Sequence, residues 1–440
     1  MDNTNTREEF SSRFGFIISC VGAALGLGNI WMFSYKLGAY GGAAFLIPYF
    51  FFVFVLGSTG LVSEFAFGRR HRAGSLVGIE KTFKSRKLKG GTFVGAIPSI
   101  GLMGVLMFYT VVIGWVLKYF ALSVTGEMMT MDATNFFDNF SGTTSSIPWF
   151  FLAMFITAAV VCLGVTKGIE KLNKIIMPLI LILFVCLTVR SLTLPGSMEG
   201  VKYLVTPDFS FLLKAETWVM ALGQAFFTLS LNGCGMVVYG SYINDKFNIP
   251  SCAITTAIGD TVAALLASFM IIPAVFAFGL DVAAGPSLLF ITIPKVFQAM
   301  PFGGFLSILF FLSIIFATIS SSINMLEGPV EGLMTRFKMG RKKASILITT
   351  ICFICALPLA TSMERFGAFT DFVTIIISPL CALIVAVVFF YLTDKDEIMN
   401  EINKGRVKPI GNWFIPFGKY LFVIVIVLIT ILGVNYGGIG

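Results

Sequence analysis

Gly26 to Tyr35 reads GLGNIWMFSY and lies inside an apolar run otherwise long enough to cross a membrane. Glycine and asparagine are poor helix formers, and a bilayer offers no water to the backbone groups that a broken helix frees. Non-helical backbone at that depth persists only where protein or a water-filled cavity takes up those groups. An interruption here therefore marks a site.

The rest of the chain supports the membrane setting. Of 440 residues, 57% are hydrophobic and 12% charged, and mean hydropathy is +0.90. Stretch after stretch exceeds the roughly 20 apolar residues a spanning helix needs. Eleven spans are expected, at 14–36, 42–68, 96–122, 148–166, 172–193, 217–242, 252–279, 303–334, 344–361, 367–392 and 413–435. RRHRAGSLVGIEKTFKSRKLKGG, from position 69, holds eight lysines and arginines, and RFKMGRKK, from position 336, holds five. SVTGEMMTMDATNFFDNFSGTTSSIP, from position 123, holds none. Positive charge stays on the cytoplasmic side, so the N-terminus is expected inside and the C-terminus outside. The formal charge of +8 is then a matter of topology, and no nucleic-acid partner is expected.

Several chemistries find no support. There is no Walker motif, dinucleotide fingerprint or metal-ligand cluster, and GLGN lacks the lysine and preceding strand of a phosphate loop. All eight cysteines fall within or at the ends of apolar spans, so no disulfide framework is expected, and the CxxC spacing of Cys352 and Cys355 reads as chance. His71, the only histidine, is expected to be solvated. The polar N-terminus MDNTNTREEF argues against a cleavable signal peptide.

A break in the first span raises the question of a second, because inverted-repeat transporters bind substrate and ions between paired broken helices. Residues 223–242, GQAFFTLSLNGCGMVVYGSY, place Ser230, Asn232 and Gly233 at mid-span. Ionisable residues within spans are costly and by default functional: Glu64, Asp260, Glu327, Glu331 and Asp371. Glu64 could be a structural acid, accepting bonds from amides freed at a break. Asp260, in TTAIGDTVAALLASF, has no cation on its helix face, so it pairs elsewhere or holds a cation. IFATISSSINML carries three consecutive serines, whose hydroxyls could bond back one turn or join break carbonyls around a hard cation such as sodium; the ion reading is taken.

GLGNIW, GGAAFLIPYF, GQAFFTLSL and ATISSSINMLE together resemble the neurotransmitter:sodium symporter family, in particular its short bacterial members with eleven spans. The likeness runs from about Arg7 through span ten. It implies an all-α integral membrane protein of the bacterial inner membrane, with eleven transmembrane helices in an inverted five-helix repeat. A cytoplasmic segment, 1–13, precedes spans one to five (14–193). Spans six to ten (217–392) follow, then span eleven and a short extracellular end (413–440). Spans 1 and 6 are the broken ones, and the protein is a carrier, not an enzyme.

By the same resemblance two sodium ions bind. The first would be held by the Ala24 carbonyl, Asn29, Thr228 and Asp260, with the substrate carboxylate. The second would be held by the carbonyls of Gly22, Leu25 and Ala317 and the hydroxyls of Ser320 and Ser321. Chloride-dependent members have asparagine at the position of Asp260, so transport here is expected to be chloride-independent. Gly26 stands where monoamine carriers put an aspartate, leaving room for an amino acid carboxylate at the amides of Leu27 and Gly28 and the Tyr109 hydroxyl. The amine would meet carbonyls near Ala24, Phe227 and Thr228, and the Ser230 hydroxyl. Val105, Tyr109, Phe227, Ser230, Gly233, Ser321 and Met325 would line the side-chain pocket, which holds no charge. The leucine-type relative has phenylalanine in place of Gly233, which frees on the order of 100 Å3, and Met325 is deformable. A large or aromatic neutral amino acid is therefore expected.

The gates depart from the family pattern. Met32 replaces the outer-gate arginine while Asp371 remains, and Ser34 replaces a proline. Lys36, one turn beyond Met32, is expected to partner Asp371, or else only to reach the outer headgroups. Arg7, Phe10, Ser241 and Tyr242 match the inner latch, but Thr335 stands where an aspartate is expected, and Glu331 one turn earlier is the candidate substitute. The alternatives are a non-transporting membrane receptor, or a carrier with different ion coupling.

Overall fold

The computed structural model describes residues 8–282 and 288–436, and these contain helices, turns and loops with no strand. Among the described residues nine helices are long and apolar enough to cross a membrane, and one further pair, α1 (Arg13–Ala24) and α2 (Gly28–Ala39), passes the same test together while bent by 59°. The chain continues through α3 (Ala43–His71), the short α4 (Ser75–Ser85), α5 (Gly91–Thr125), α6 (Thr144–Cys162) and α7 (Val165–Leu192). The stretch expected as one span at 217–242 is two shorter helices, α8 (Ala215–Thr228) and α9 (Gly235–Ser241), neither long enough to cross alone. Then come α10 (Ile249–Ala277), α11 (Gly303–Phe337), α12 (Arg341–Ala360), α13 (Met363–Tyr391), the short α14 (Lys395–Asn403) and α15 (Phe414–Asn435).

Burial separates the helices by role. In α5, 83% of the most apolar stretch is buried, against 33% in α6 and in α15. The outer helices expose Phe151, Phe155, Ile182, Ile424 and Ile431 at mid-length, an apolar surface suited to lipid rather than water. This is a multi-pass membrane protein whose middle is built by α1, α2, α5, α8 and α11.

Helix starts follow local chemistry. The Ser12 hydroxyl accepts the Gly15 amide at 3.0 Å to open α1, and Asn248 accepts the Ser251 amide at 3.1 Å to open α10, with Pro250 in its first turn. Both satisfy donors that a helix start leaves free. In α13 the backbone widens to a π-helical stretch at Phe372–Ile377, a distortion that often accompanies functional sites.

The two lysine- and arginine-rich loops meet at one end of the bundle, where Arg336 lies 2.9 Å from Glu80. The Lys84 ammonium bonded to Glu80, with Arg336 beside it, holds that carboxyl below its usual range. At the same end Arg69 is buried against Glu401 of α14 at 2.5 Å and donates to the Phe247 carbonyl at 2.7 Å. His71 is not solvated as expected. It is half-buried against the Phe67 ring, with the Thr82 hydroxyl 3.0 Å from its Nε2. All eight cysteines are free thiols.

Candidate functional site

The first break, between α1 and α2, leaves amides and carbonyls without helical partners, and side chains from α2 itself and from α5, α8 and α11 supply them. The Asn29 Oδ1 accepts the Gly26 amide at 3.0 Å and the Tyr109 hydroxyl accepts the Leu27 amide at 3.1 Å. Gln224 donates to the Gly28 carbonyl at 2.8 Å. Gly26 must lack a side chain, because a Cβ there would lie 2.2 Å from the Tyr109 hydroxyl and 2.8 Å from that of Ser321.

Two oxygen clusters flank this break. In one, Asn29 Nδ2 donates to Asp260 Oδ1 at 2.6 Å and to Thr228 Oγ1 at 3.0 Å, and Thr228 donates to Asp260 Oδ2 at 2.8 Å. All three side chains are buried. In the other, the Ser320 hydroxyl is 2.6 Å from the Gly22 carbonyl and 2.9 Å from that of Ala317. The Ser321 hydroxyl is 2.9 Å from the Leu25 carbonyl and 3.3 Å from those of Gly22 and Ala317. Each hydroxyl carries one proton, so it satisfies only one of those carbonyls at a time. A surplus of neutral, hard oxygen donors is a fitting environment for a small alkali cation. Among the described residues no group of three or more His, Cys, Asp or Glu is placed to hold a metal.

Against the break, with Ser321 of the second cluster in its wall, lies a cavity of about 630 Å3, counted with the solvent space open to it. Ala24, Gly26, Gly28, Val105, Tyr109, Phe227, Ser230, Ser321 and Met325 are among its lining residues, and among the described residues no charged side chain lines it. Leu27 and Thr228, also expected at the substrate, do not line it; Leu27 instead faces the adjoining cavity lined by Trp31 and Met32. Ser230 takes a left-handed backbone, φ +52°, and its hydroxyl donates to the Ala23 carbonyl at 3.2 Å.

Gly233 does not supply the space expected of it. It sits at φ +68°, and a Cβ there would meet the Cys381 carbonyl at 2.3 Å, so its missing side chain serves close backbone packing against α13 and not the cavity. Its amide donates to Glu64 Oε1 at 3.0 Å, its carbonyl accepts from the Ser75 hydroxyl, and Asn232 Oδ1 accepts the amides of Cys234 and Gly235 at 3.1 and 2.9 Å.

A second cavity, about 1000 Å3 with the solvent space open to it, lies beyond the break on the side away from the basic end, lined by Trp31, Met32, Tyr35, Trp115, Phe366 and Asp371 among others. Tyr109, Phe227 and Thr374 line both cavities and so form the partition. Among the described residues no ion pair or hydrogen bond joins Lys36 to Asp371. Asp371 faces this cavity, whereas Lys36, one position round the helix from Tyr35, is buried and does not line it. Ser34 faces α10, its hydroxyl 3.2 Å from that of Ser268.

At the basic end Phe10 packs on Tyr239 and Tyr242 and its amide donates to the Tyr242 carbonyl at 3.0 Å. Tyr242 donates to Glu327 at 2.5 Å, Glu327 pairs with Arg341 at 2.7 Å, and Arg341 with Glu8 at 3.0 Å. Ser241 bonds the Val238 carbonyl. Glu331 accepts from Thr335 at 2.6 Å and from the Gly74 amide at 2.8 Å, so glutamate and threonine act as one unit. Arg7 lies outside the described residues. Sequence reasoning left Gln224, Asn232, Thr374 and Ser378 unassigned in the centre, and the Glu8, Arg341 pairings at the end. One signal was available: Thr370, Thr374 and Ser378 recur every fourth residue on an apolar span.

A sequence model of the sodium:neurotransmitter symporter family matches residues 7–141 and 141–437. An uncharacterized sodium-dependent transporter of Bacillus subtilis is 33% identical over 97% of this chain and 98% of its own length. A sodium-dependent neutral amino acid transporter of Rattus norvegicus, B(0)AT3, is 33% identical over 62% of this chain and 48% of its own. The crystal structure of MhsT in complex with L-phenylalanine matches with a TM-score of 0.85 at 32% identity, over 97% of this chain and 99% of that one. This chain belongs to the sodium:neurotransmitter symporter family, whose members are membrane transporters and not enzymes.

Proposed function

We propose that this protein is a sodium-coupled symporter of neutral, large or aromatic amino acids that works by alternating access. The observation that carries the reading is the pair of buried oxygen clusters at a broken helix whose glycines line an uncharged cavity. Asn29, Thr228, Asp260 and the Ala24 carbonyl hold one sodium ion together with the substrate carboxylate. Gly22, Leu25, Ala317, Ser320 and Ser321 hold a second. Sodium and the carboxylate then take over the break's freed groups, with Leu27, Gly28 and Tyr109 at the carboxylate. Ala24, Phe227, Thr228 and Ser230 receive the amine.

The absence of charge in the lining favours a neutral side chain, since an unpaired charge there would be costly. A large or aromatic one is favoured by the relative crystallised with L-phenylalanine, and neutrality by the rat neutral amino acid transporter. Asp260 supplies a fixed negative charge beside the first ion, so chloride is not required, and uptake persists when gluconate replaces chloride. The chain makes eleven spans, counting α8 and α9 as one broken span, in an inverted repeat. It lies in a bacterial inner membrane with its basic loops and N-terminus in the cytoplasm.

Uptake in proteoliposomes across the twenty amino acids, with and without an inward sodium gradient, tests the reading. Accumulation of large neutral amino acids only with the gradient supports it. A receptor would bind without accumulation, and a proton-coupled carrier would accumulate substrate without sodium.

A further inference from the structure

The cavity has a polar wall that the proposed roles leave unused. The groups assigned to the amine and carboxylate come from α1, α2, α5 and α8, but α13 adds Thr374 and Ser378, and the second break adds Asn232. Asn232 Oδ1 is occupied by two backbone amides, which fixes the orientation of its amide and leaves the Nδ2 group as a donor. Among the described residues neither that nitrogen nor the Ser378 hydroxyl makes a hydrogen bond, although both residues are more than nine-tenths buried. A serine in an apolar helix normally bonds back to the carbonyl four residues earlier, as Thr374 does to Thr370 at 2.9 Å. Ser378 follows directly on the π-helical stretch Phe372–Ile377, where the turn is wider than that of an α-helix. Thr374 donates to the backbone and keeps its lone pairs free as acceptors.

Buried polar groups seek partners, and here an unused donor, an unused hydroxyl and an acceptor face one uncharged cavity. We infer that Asn232, Thr374 and Ser378 are specificity determinants that recognise a polar group at the end of an aromatic substrate side chain, with a phenol preferred. A phenolic hydroxyl both donates, to Ser378 or Thr374, and accepts, from Asn232. An indole N–H only donates, and a phenyl ring does neither. The order at this wall is therefore tyrosine, tryptophan, phenylalanine. This rests on the amino acid transport reading and deepens it.

The test is sodium-driven uptake of tyrosine and phenylalanine by the full-length protein in proteoliposomes, read as the ratio of kcat/KM. The wild type prefers tyrosine by about tenfold or more, as expected where site groups are left unpaired by the poorer substrate. Ser378→Ala lowers that ratio about tenfold, and Ser378→Thr, which keeps a hydroxyl, retains it. Aromatic uptake with equal use of the two substrates, or a ratio unmoved by Ser378→Ala, overturns the inference alone. Sodium-dependent uptake of non-aromatic amino acids only overturns both the inference and the aromatic reading beneath it.

Discussion

The two breaks share a composition, each a glycine beside hydroxyl or amide residues, yet different chemistry holds each one open. At the first, neutral groups do the work: Asn29, Tyr109, Ser320, Ser321 and Gln224 meet its amides and carbonyls. Most of these are groups that could also face a cation or a carboxylate. At the second, a buried carboxylate and an internal cap are committed to the backbone, Glu64 to Gly233 and Asn232 to Cys234 and Gly235. The positive φ at Ser230 and Gly233 fixes its path. One break is built to exchange partners and the other to keep its shape. Damage to the first should then appear in sodium dependence, and damage to the second in stability.

The largest expected effect is at Asp260. Asp260→Asn removes the one carboxylate of its cluster, and sodium affinity should fall roughly 100-fold, while thermal stability without sodium changes little. A loss of stability with sodium affinity intact would erase the distinction between the breaks. Glu64→Ala strands the Gly233 amide, and an unsatisfied buried donor costs about 1–3 kcal/mol. Its signature is a lower Tm at every sodium concentration, largely recovered in Glu64→Gln, which keeps an acceptor. Gly233→Ala should also lower stability, through left-handed strain and the approach to the Cys381 carbonyl, by about 1–2 kcal/mol, seen as a lower Tm. The ranking of large over small substrates should stay as it is, because Gly233 does not line the cavity. The smallest effect belongs to Ser320→Ala, which leaves four of five oxygens in its cluster; sodium affinity should fall about tenfold, equal to about 1.4 kcal/mol, with Tm unchanged.

The contrast between the breaks was only partly visible in sequence. Helix-breaking residues at mid-span, a serine run and an unpaired Asp260 pointed to the centre, because each violates what an apolar helix prefers. Which way a residue faces needed the tertiary structure. Gly233 read as missing volume, but its conformation and the neighbouring α13 backbone account for it. Lys36 read as an outer partner for Asp371 from helical spacing, which places residues on a face without saying what that face meets. Glu327 was noted as costly, but its partner Arg341 lies across a turn on the next helix, and no local pattern announces such a pair. The Thr374 and Ser378 wall was readable as a period of four, yet hydroxyls that bond back to their own helix look the same in sequence.

The central claim is that substrate and sodium share one site around the first break, and equilibrium binding of the transported amino acid at several sodium concentrations tests it most directly. The substrate Kd should fall steeply as sodium rises, and saturating substrate should raise sodium affinity by the same factor, since coupling between bound ligands is reciprocal. A substrate Kd that stays constant from no sodium to saturating sodium would contradict the account.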